Sequence, residues 1–500
     1  MKYGFSGFSV DTELRELSDQ GGLIALQPQA FALLVFLIEN SDRVVTKDEI
    51  FEAVWQDRIV GDGTLNARIN AIRSAVGDDG TRQEVIKTLP RQGFRFIARL
   101  GDPADATTTP VQAATKSVAV LPFTDIGDDP EQGYFADGLT EDLITDLAKV
   151  PDLFVIARNT SFSYKGSPKS MVEIGQETGV AHVLEGSVRR AGGRIRINAQ
   201  LVATETGGSV WAERYDREFD DIFSVQDEIT KKITTAMKAS LISEMGRSTD
   251  NSEAYELSLK ARALFFQFTP EANRECIRLL DRAIELDPDF AEAWAGLVFP
   301  YQSGYSFAWP GYEDGVEIAQ IKARRAVKMG PQLALTHCRL GWVSTIIGDH
   351  KLALEEFERA TELEPNNADP YVWYCDALNF AGFPERAIPM GEAALRFDPV
   401  APPNVLHHLA HAHFLLGNLE EAKALELRAA ELVPFFPPTR LNLAATFFEL
   451  GDIEAAKSQI ATLLGYEEGF SLARFWDRYP YANEKQQERI ATALNAAGLT

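Results

Sequence analysis

Between Asp62 and Phe96 the chain spaces its side chains as a reader of duplex nucleic acid would. Asn70 can pair in two-pronged fashion with a base edge, and Arg68 and Arg73 flank it within reach of bases or phosphates. At about 100° per residue, Thr64, Ala67, Asn70, Ala71 and Ser74 share an outward face, with Asn66 and Arg73 on one edge and Arg68 on the other. Small outward residues let a helix lie deep in a groove. Further on, Arg91 and Arg95 can meet a neighbouring backbone or minor groove. The expected DNA contacts are therefore Thr64, Asn66, Ala67, Arg68, Asn70, Arg73, Arg91 and Arg95.

Two elements must hold these side chains. Leu65, Ile69, Ile72 and Val76 recur at helical spacing and give the 64–76 helix a buried stripe. Val85–Leu89, a Pro90-Arg91-Gln92-Gly93 turn and Phe94–Ile97 then read as a β-hairpin, a wing beside the helix. Upstream, helices are expected at about 28–40 and 46–55, and residues 3–26 alternate like a small antiparallel sheet.

Leu26-Gln27-Pro28-Gln29-Ala30-Phe31-Ala32-Leu33-Leu34, Val44-Val45-Thr46-Lys47-Asp48-Glu49-Ile50, Ala53-Val54-Trp55 and Gly93-Phe94-Arg95-Phe96 resemble OmpR/PhoB-type winged helices, nearest the CadC-like branch. The resemblance implies that 64–76 is the recognition helix and that the loop 54–63 before it touches RNA polymerase. It also implies binding to double-stranded DNA as a homodimer. Where many relatives carry late basic residues in that helix, this chain has Ser74 and Ala75. No receiver domain is expected ahead of the winged helix, and no phosphoacceptor aspartate of the phosphorelay kind.

Charge confines the DNA-binding surface. The 500 residues carry −24 overall, but 61–100 carries +3, from seven Lys and Arg against four Asp and Glu. Each phosphate contact releases about one counterion, so a monomer with so few cations binds weakly and a second copy is expected. Apolar content of 45% and charged content of 24% are those of an ordinary soluble protein of about three domains. The longest clean apolar run, Phe31 to Ile38, is too short to cross a bilayer, and a cytoplasmic location is expected. Cys276, Cys338 and Cys375 read as reduced core thiols.

The organisation expected is a winged helix (α+β) over 1–100, a linker over 101–115, an α/β domain over 116–245 and an all-α solenoid over 250–500. In the α/β domain, strands are expected at 117–123, 153–157, 181–190, 194–204 and 209–217. A helix at 135–149 opened by Thr140, another at 169–178 and a long one from Ile222 complete it. Val118-Ala119-Val120-Leu121-Pro122-Phe123, Tyr134 to Asp142, Leu184 to Arg189 and Trp211 to Asp216 resemble the TolB-amino-terminal-like domain. That resemblance implies a place between tetratricopeptide repeats and an output domain, either a winged helix or a class III adenylate cyclase. Asp137, Glu141 and Asp142 are either dipole-favoured carboxylates at a helix start or ligands for a cation. Arg189, Arg190, Arg194 and Arg196 form either a solvated hairpin face or an anion and partner site.

From Glu253 onward, Gly348, Gly382, Gly417 and Gly451 repeat at 34 or 35 residues, as do Ala353, Ala387, Ala422 and Ala456. Pro288, Pro331, Pro365, Pro399 and Pro434 close successive helices, with an aromatic insertion from Tyr301 to Tyr312. This period belongs to tetratricopeptide repeats: about six helical hairpins and a capping helix near 484–497. The repeat register places Trp342, Asp376, Asn379, His407 and His411 in a groove for a protein, peptide or small ligand. The cluster of His407, His408, His411 and His413 is open to packing, pH-sensing and metal readings; packing is preferred, and no metal or cofactor is expected.

The function expected is promoter binding through the winged helix, controlled by a partner or ligand on the later domains. The alternative is a signalling scaffold whose winged helix contacts protein. An enzyme is not expected: the chain has no nucleophile elbow, dinucleotide fingerprint or phosphate loop, and no segment is left for a cyclase domain.

Overall fold

The structure, a computed structural model, describes residues 2–5, 8–12, 16–19, 22–24, 28–41, 43–55, 65, 68–69, 72–73, 75–76, 78, 85–89, 93–98, 116–127, 132–150, 152–191, 193–239, 249–265, 267–400, 402–467, 469–478 and 480–500. They gather into two compact units, Met1–Val111 and Gln112–Thr500.

The first unit opens with an antiparallel sheet of β1 (Lys2–Phe5), β2 (Phe8–Asp11), β3 (Glu16–Asp19) and β4 (Gly22–Ile24), paired in that order. Helix α1 (Pro28–Glu39) begins on a proline, whose missing N–H is no loss there. Helix α2 (Lys47–Trp55) begins with a reciprocal cap: Thr46 N donates to Glu49 Oε2 at 2.8 Å, and Glu49 N donates to Thr46 Oγ1 at 3.3 Å. The wing is β5 (Ile86–Leu89) paired antiparallel with β6 (Gly93–Phe96). Phe5, Leu33, Leu34, Leu37, Ile50, Ile86 and Phe96 join the Leu65, Ile69, Ile72 and Val76 stripe in one core.

The second unit holds a sheet ordered β12-β11-β10-β7-β9. Its strands are β7 (Ser117–Val120), β8 (Thr124–Asp125), β9 (Phe154–Val155), β10 (His182–Ala191), β11 (Arg194–Ala203) and β12 (Ser209–Glu218). β7 runs parallel to β9 and β10, while β10, β11 and β12 form an antiparallel meander. Helices α3 (Gly133–Ala148), α4 (Arg158–Ser163), α5 (Met171–Thr178) and α6 (Ile222–Ala236) accompany it. Leu139, Leu143 and Leu147 of α3 and Ile229 and Ile233 of α6 share a core with Val118, Val120, Ile195, Ile197 and Leu201 of the strands.

Thr140 does not open a helix. α3 starts at Gly133, and Thr140 is buried at mid-helix, where Oγ1 donates to Ala136 O and accepts from Phe123 N. A threonine hydroxyl bonding back to the carbonyl four residues earlier is compatible with a helix interior.

The repeats follow as six helix pairs: α7 (Ser252–Phe265) with α8 (Pro270–Leu286), α9 (Ala291–Ser306) with α10 (Gly315–Met329), and α11 (Ala334–Ile346) with α12 (His350–Leu363). Next come α13 (Ala368–Phe380) with α14 (Pro384–Phe397), α15 (Pro403–Leu416) with α16 (Leu419–Leu432), and α17 (Pro437–Glu449) with α18 (Ile453–Tyr466). The glycines at 348, 382, 417 and 451 have φ of 76°, 87°, 83° and 84°, the left-handed conformation that ends a first helix and turns the chain. Ala353, Ala387, Ala422 and Ala456 are fully buried, as close helix approach requires. The insertion lengthens α9 to Ser306, through Pro300. Beyond α18, the capping helix α20 (Glu484–Ala496) is preceded by the short α19 (Leu472–Arg478).

Candidate nucleic-acid interface

Leu65, Ile69, Ile72 and Val76 are all 4% exposed or less, so the 64–76 segment is anchored through the stripe its spacing gives it. Leu65, Arg68, Ile69, Ile72, Arg73 and Ala75 are helical. Thr64, Asn66, Ala67, Asn70 and Arg91 lie outside the described residues, as does 56–63 of the expected polymerase loop.

Arg73 departs from the outward placement. It is 6% exposed, and its Nη2 donates to Ile86 O at 2.7 Å and to Thr88 Oγ1 at 2.9 Å. Its guanidinium ties the helix to the first wing strand and does not face a duplex. The signal was present in the spacing: Arg73 is four residues after Ile69 and three before Val76, on the buried side. Buried Asp78 completes the join, its Oδ2 accepting from Val85 N at 3.0 Å and Ile86 N at 3.3 Å. An acid counted against DNA binding in the sequence is thus turned inward.

Arg68 is half-buried, with Nη2 3.5 Å from Gln29 Oε1 at the start of α1. Arg95 is exposed on the wing, its Nε 3.4 Å from Ser41 O. Directly across from Arg95 stands exposed Lys87, a cation outside the expected set of DNA contacts. Strand alternation could have found it: Ile86, Phe94 and Phe96 point in, so Lys87 and Arg95 point out. Two cations facing each other across a ladder repel, and a phosphate between them removes that repulsion.

The wing is held close to the rest of its unit at Gly93. Val45 N donates to Phe94 O at 2.8 Å and Phe94 N donates to Val45 O at 2.9 Å, adding a third strand position. Gly93 has φ of 138°, and a Cβ there would lie 2.0 Å from Val45 O. Glycine is required.

The expected partner groove is largely filled. Asn379 is fully buried, its Nδ2 donating to His408 O at 2.8 Å. His407 Nδ1 lies 2.7 Å from Oε1 of fully buried Glu426, which also accepts from Asn442 Nδ2 at 2.6 Å. Burial opposes charge on His407, but Glu426 outweighs it and holds the ring's pKa above the ordinary value. His411 Nε2 lies 2.9 Å from Tyr481 Oη, a residue between α19 and α20. Burial, with His407 beside it, pushes His411 down to about 3. Asn379, His407 and His411 are therefore packing residues, held by His408 O, by Glu426 and by Tyr481 of the C-terminal segment respectively. Trp342 and Asp376 stay half-buried; Asp376 Oδ1 is 3.0 Å from His408 Nδ1. Trp342 stacks on Phe299 at 4.7 Å and 5°, and meets Trp373 at 6.0 Å.

The α/β part contacts the first repeat through α7 and also the later corners at Asn366 and Asp398. Glu141 and Asp142 pair with Arg262 of α7 at 3.2 and 3.1 Å, Asp142 also accepts from Tyr255 Oη, and Asp137 pairs with Lys165 at 2.6 Å. These carboxylates lie within α3 and serve as ion-pair partners; among the described residues no group of His, Cys, Asp and Glu is arranged to hold a metal. Arg190 reaches Glu256 at 2.8 Å, while Arg196 pairs with Asp216 at 2.9 Å on the outer sheet face. Among the described residues no helix is long and apolar enough to cross a membrane.

Residues 21–96 match the family model "Transcriptional regulatory protein, C terminal", and 334–367 and 403–425 match tetratricopeptide repeat models. "Putative adenylate cyclase 3" of Rhizobium meliloti is 48% identical over 211 residues, 41% of this chain and 36% of that protein. "Transcriptional regulator HilA" of Salmonella typhimurium is 23% identical over 443 residues, 85% of this chain and 76% of that protein. "Transcriptional activator CadC" of Escherichia coli is 28% identical over 89 residues, 18% of this chain and 17% of that protein. The chain thus spans about a third of the first relative's length and about three quarters of the second's.

Proposed function

We propose that this chain is a DNA-binding transcriptional regulator that reaches promoters through its winged helix. The observation carrying the reading is the outward Lys87 and Arg95 pair, set on a hairpin that Arg73 and Asp78 lock to the 64–76 segment. The match over 21–96 and the relatives named as transcriptional regulators support it. In this reading Thr64, Asn66, Ala67, Arg68 and Asn70 face the bases, and Lys87, Arg91 and Arg95 grip phosphates. Arg73 positions the helix instead.

The parts we assign are DNA binding to 1–100, a linker to 101–115, a TolB-like domain to 116–245 and repeats to 250–500. Two copies act on one DNA site, loop 54–63 meets RNA polymerase in the cytoplasm, and control comes from the unit Gln112–Thr500. A partner there has the half-buried Trp342 and Asp376 within reach. No catalytic step is assigned: the similarity to the putative adenylate cyclase covers 36% of that protein, and cyclase chemistry is not carried over.

The scaffold alternative draws on the inward turn of Arg73, which takes one cation away from the DNA face. Replacing both Lys87 and Arg95 with alanine separates the readings. If both grip phosphates, affinity falls about equally on all duplexes and the slope of log K against log salt shrinks by about 2. An unchanged slope removes the wing from the DNA interface.

A further inference from the structure

Three successive first helices of the repeats bring aromatic rings together at mid-groove. Phe299 of α9 stacks on Trp342 of α11, and Trp342 meets Trp373 of α13 edge-on at 6.0 Å and 61°. All three rings are half-buried and keep part of their surface open. Arg339 stands one turn before Trp342 on α11, its Cζ 5.8 Å from the centre of the Phe299 ring. Asp369 stands one turn before Trp373 on α13. Two neighbouring helices thus each set one charge beside one tryptophan.

The charges around this wall are matched except for those two. Glu141 is taken by Arg158 and Arg262, Asp142 by Arg262 and Tyr255, and Asp398 by Thr160 and Asn159. Arg339 and Asp369 bear on each other electrostatically, yet among the described residues no ion pair joins them. Arg339 Nε is buried with no hydrogen-bond partner. Asp369 is exposed toward the groove, but Arg339, Asp398, Glu141 and Arg158 all bear on it from the surrounding elements. Burial holds the Arg339 guanidinium below its ordinary pKa and lifts the Asp369 carboxyl above its own. A desolvated charge without a counter-charge is costly, and a ligand that supplies one removes that cost.

The groove is occupied on either side of the wall. Toward α7, Glu141 and Asp142 of α3 hold Arg262; toward α15, His407 lies on Glu426 and His411 on Tyr481. An extended peptide would have to displace these contacts, whereas a small molecule leaves them in place. We propose that the stretch between them binds a free α-amino acid with an aromatic side chain. Its carboxylate would meet Arg339, its ammonium Asp369, and its ring Trp342 and Trp373. A guanidinium presents forked donors to a carboxylate, a carboxylate accepts from an ammonium, and rings pack edge-on or offset. A ligand with one charge would leave either Arg339 or Asp369 unmatched. The inference rests on the reading that control comes from the unit Gln112–Thr500 only for its regulatory meaning, and its test is made without DNA.

Calorimetric titration of the full chain compares phenylalanine with phenylethylamine, which lacks the carboxylate, and phenylpropanoate, which lacks the amine. N-acetylphenylalaninamide stands in for a peptide. Phenylalanine is expected to bind, and each of the other three at least about tenfold more weakly, as loss of a charged hydrogen-bonded contact implies. This comparison needs no variant, so misfolding cannot confound it. Two variants then assign the charges. Arg339→Gln is expected to lose the preference over phenylethylamine and keep that over phenylpropanoate; Asp369→Asn is expected to do the reverse. No binding of phenylalanine up to about 10 mM, beyond the range of weak specific ligands, overturns the proposal. So do analogues that bind as tightly as phenylalanine, or variants that keep both wild-type preferences. Equal binding of N-acetylphenylalaninamide also overturns it and gives the site to a peptide. A chain that shows these preferences but ignores promoter DNA would instead count against the regulator reading alone.

Discussion

Gly93→Ala is expected to detach the wing and abolish DNA binding. The added Cβ would lie 2.0 Å from Val45 O and 2.9 Å from Thr46 Cα, both backbone atoms, and φ of 138° is itself unfavourable for alanine. Relief requires breaking the two hydrogen bonds between Val45 and Phe94, which separates β6 from the strand position beside it. The resulting loss is about 3 kcal/mol or more, the size reserved for backbone strain and broken buried networks. Amide exchange of the Ile86–Leu89 and Gly93–Phe96 strands, read with a duplex-binding titration, checks this. Protected strands and unchanged binding in the alanine variant would show that the wing tolerates displacement.

The second large effect is at Arg73. Removing its side chain in Arg73→Ala takes away hydrogen bonds to Ile86 O and Thr88 Oγ1 and leaves a buried space at the helix–wing join. Bonds from a charged donor contribute about 1.5–3 kcal/mol each, so a loss of about 2–4 kcal/mol is expected in the first unit. Arg73→Lys should recover only part of it, because an ammonium cannot reproduce the forked geometry. Denaturant midpoints for wild type, Arg73→Lys and Arg73→Ala give the comparison. A base-reading arginine would behave differently: stability unchanged, with specificity relaxed at one position of the site. That pattern would refute the positioning role.

The contrast between Arg73 and its neighbours shows what could be read from sequence. The stripe Leu65, Ile69, Ile72 and Val76 was legible because a helix buries residues at a fixed angular period. The wing was legible from alternation and the turn Pro90-Arg91-Gln92-Gly93. Arg73 was legible only in part: its spacing from Ile69 and Val76 puts it on the buried side, but its partners lie 13 and 15 residues on, in a strand whose approach no local pattern encodes. Thr140 was misplaced for a related reason. Thr140-Glu141-Asp142 has the composition of a helix start, but the helix begins at Gly133, and Thr140 inside it accepts a hydrogen bond from Phe123 N, a partner 17 residues away in sequence.

In the repeats, glycine and proline punctuation showed six hairpins, since each turn needs a left-handed residue or a helix stop. Register also told which face Asn379, His407 and His411 occupy. It could not tell that Glu426 is buried against His407, or that Tyr481, 70 residues beyond His411, returns to cover that ring. α4 and α19, at six and seven residues, are too short to carry a periodic stripe and went unforeseen.

The most direct test is a fluorescence-anisotropy titration of the intact chain against duplexes selected from a genomic library, repeated over a salt series. The account predicts preference for the selected duplex over scrambled DNA, with log affinity falling linearly as log salt rises. Failure to bind any duplex in dilute buffer, or an affinity indifferent to salt, would contradict it.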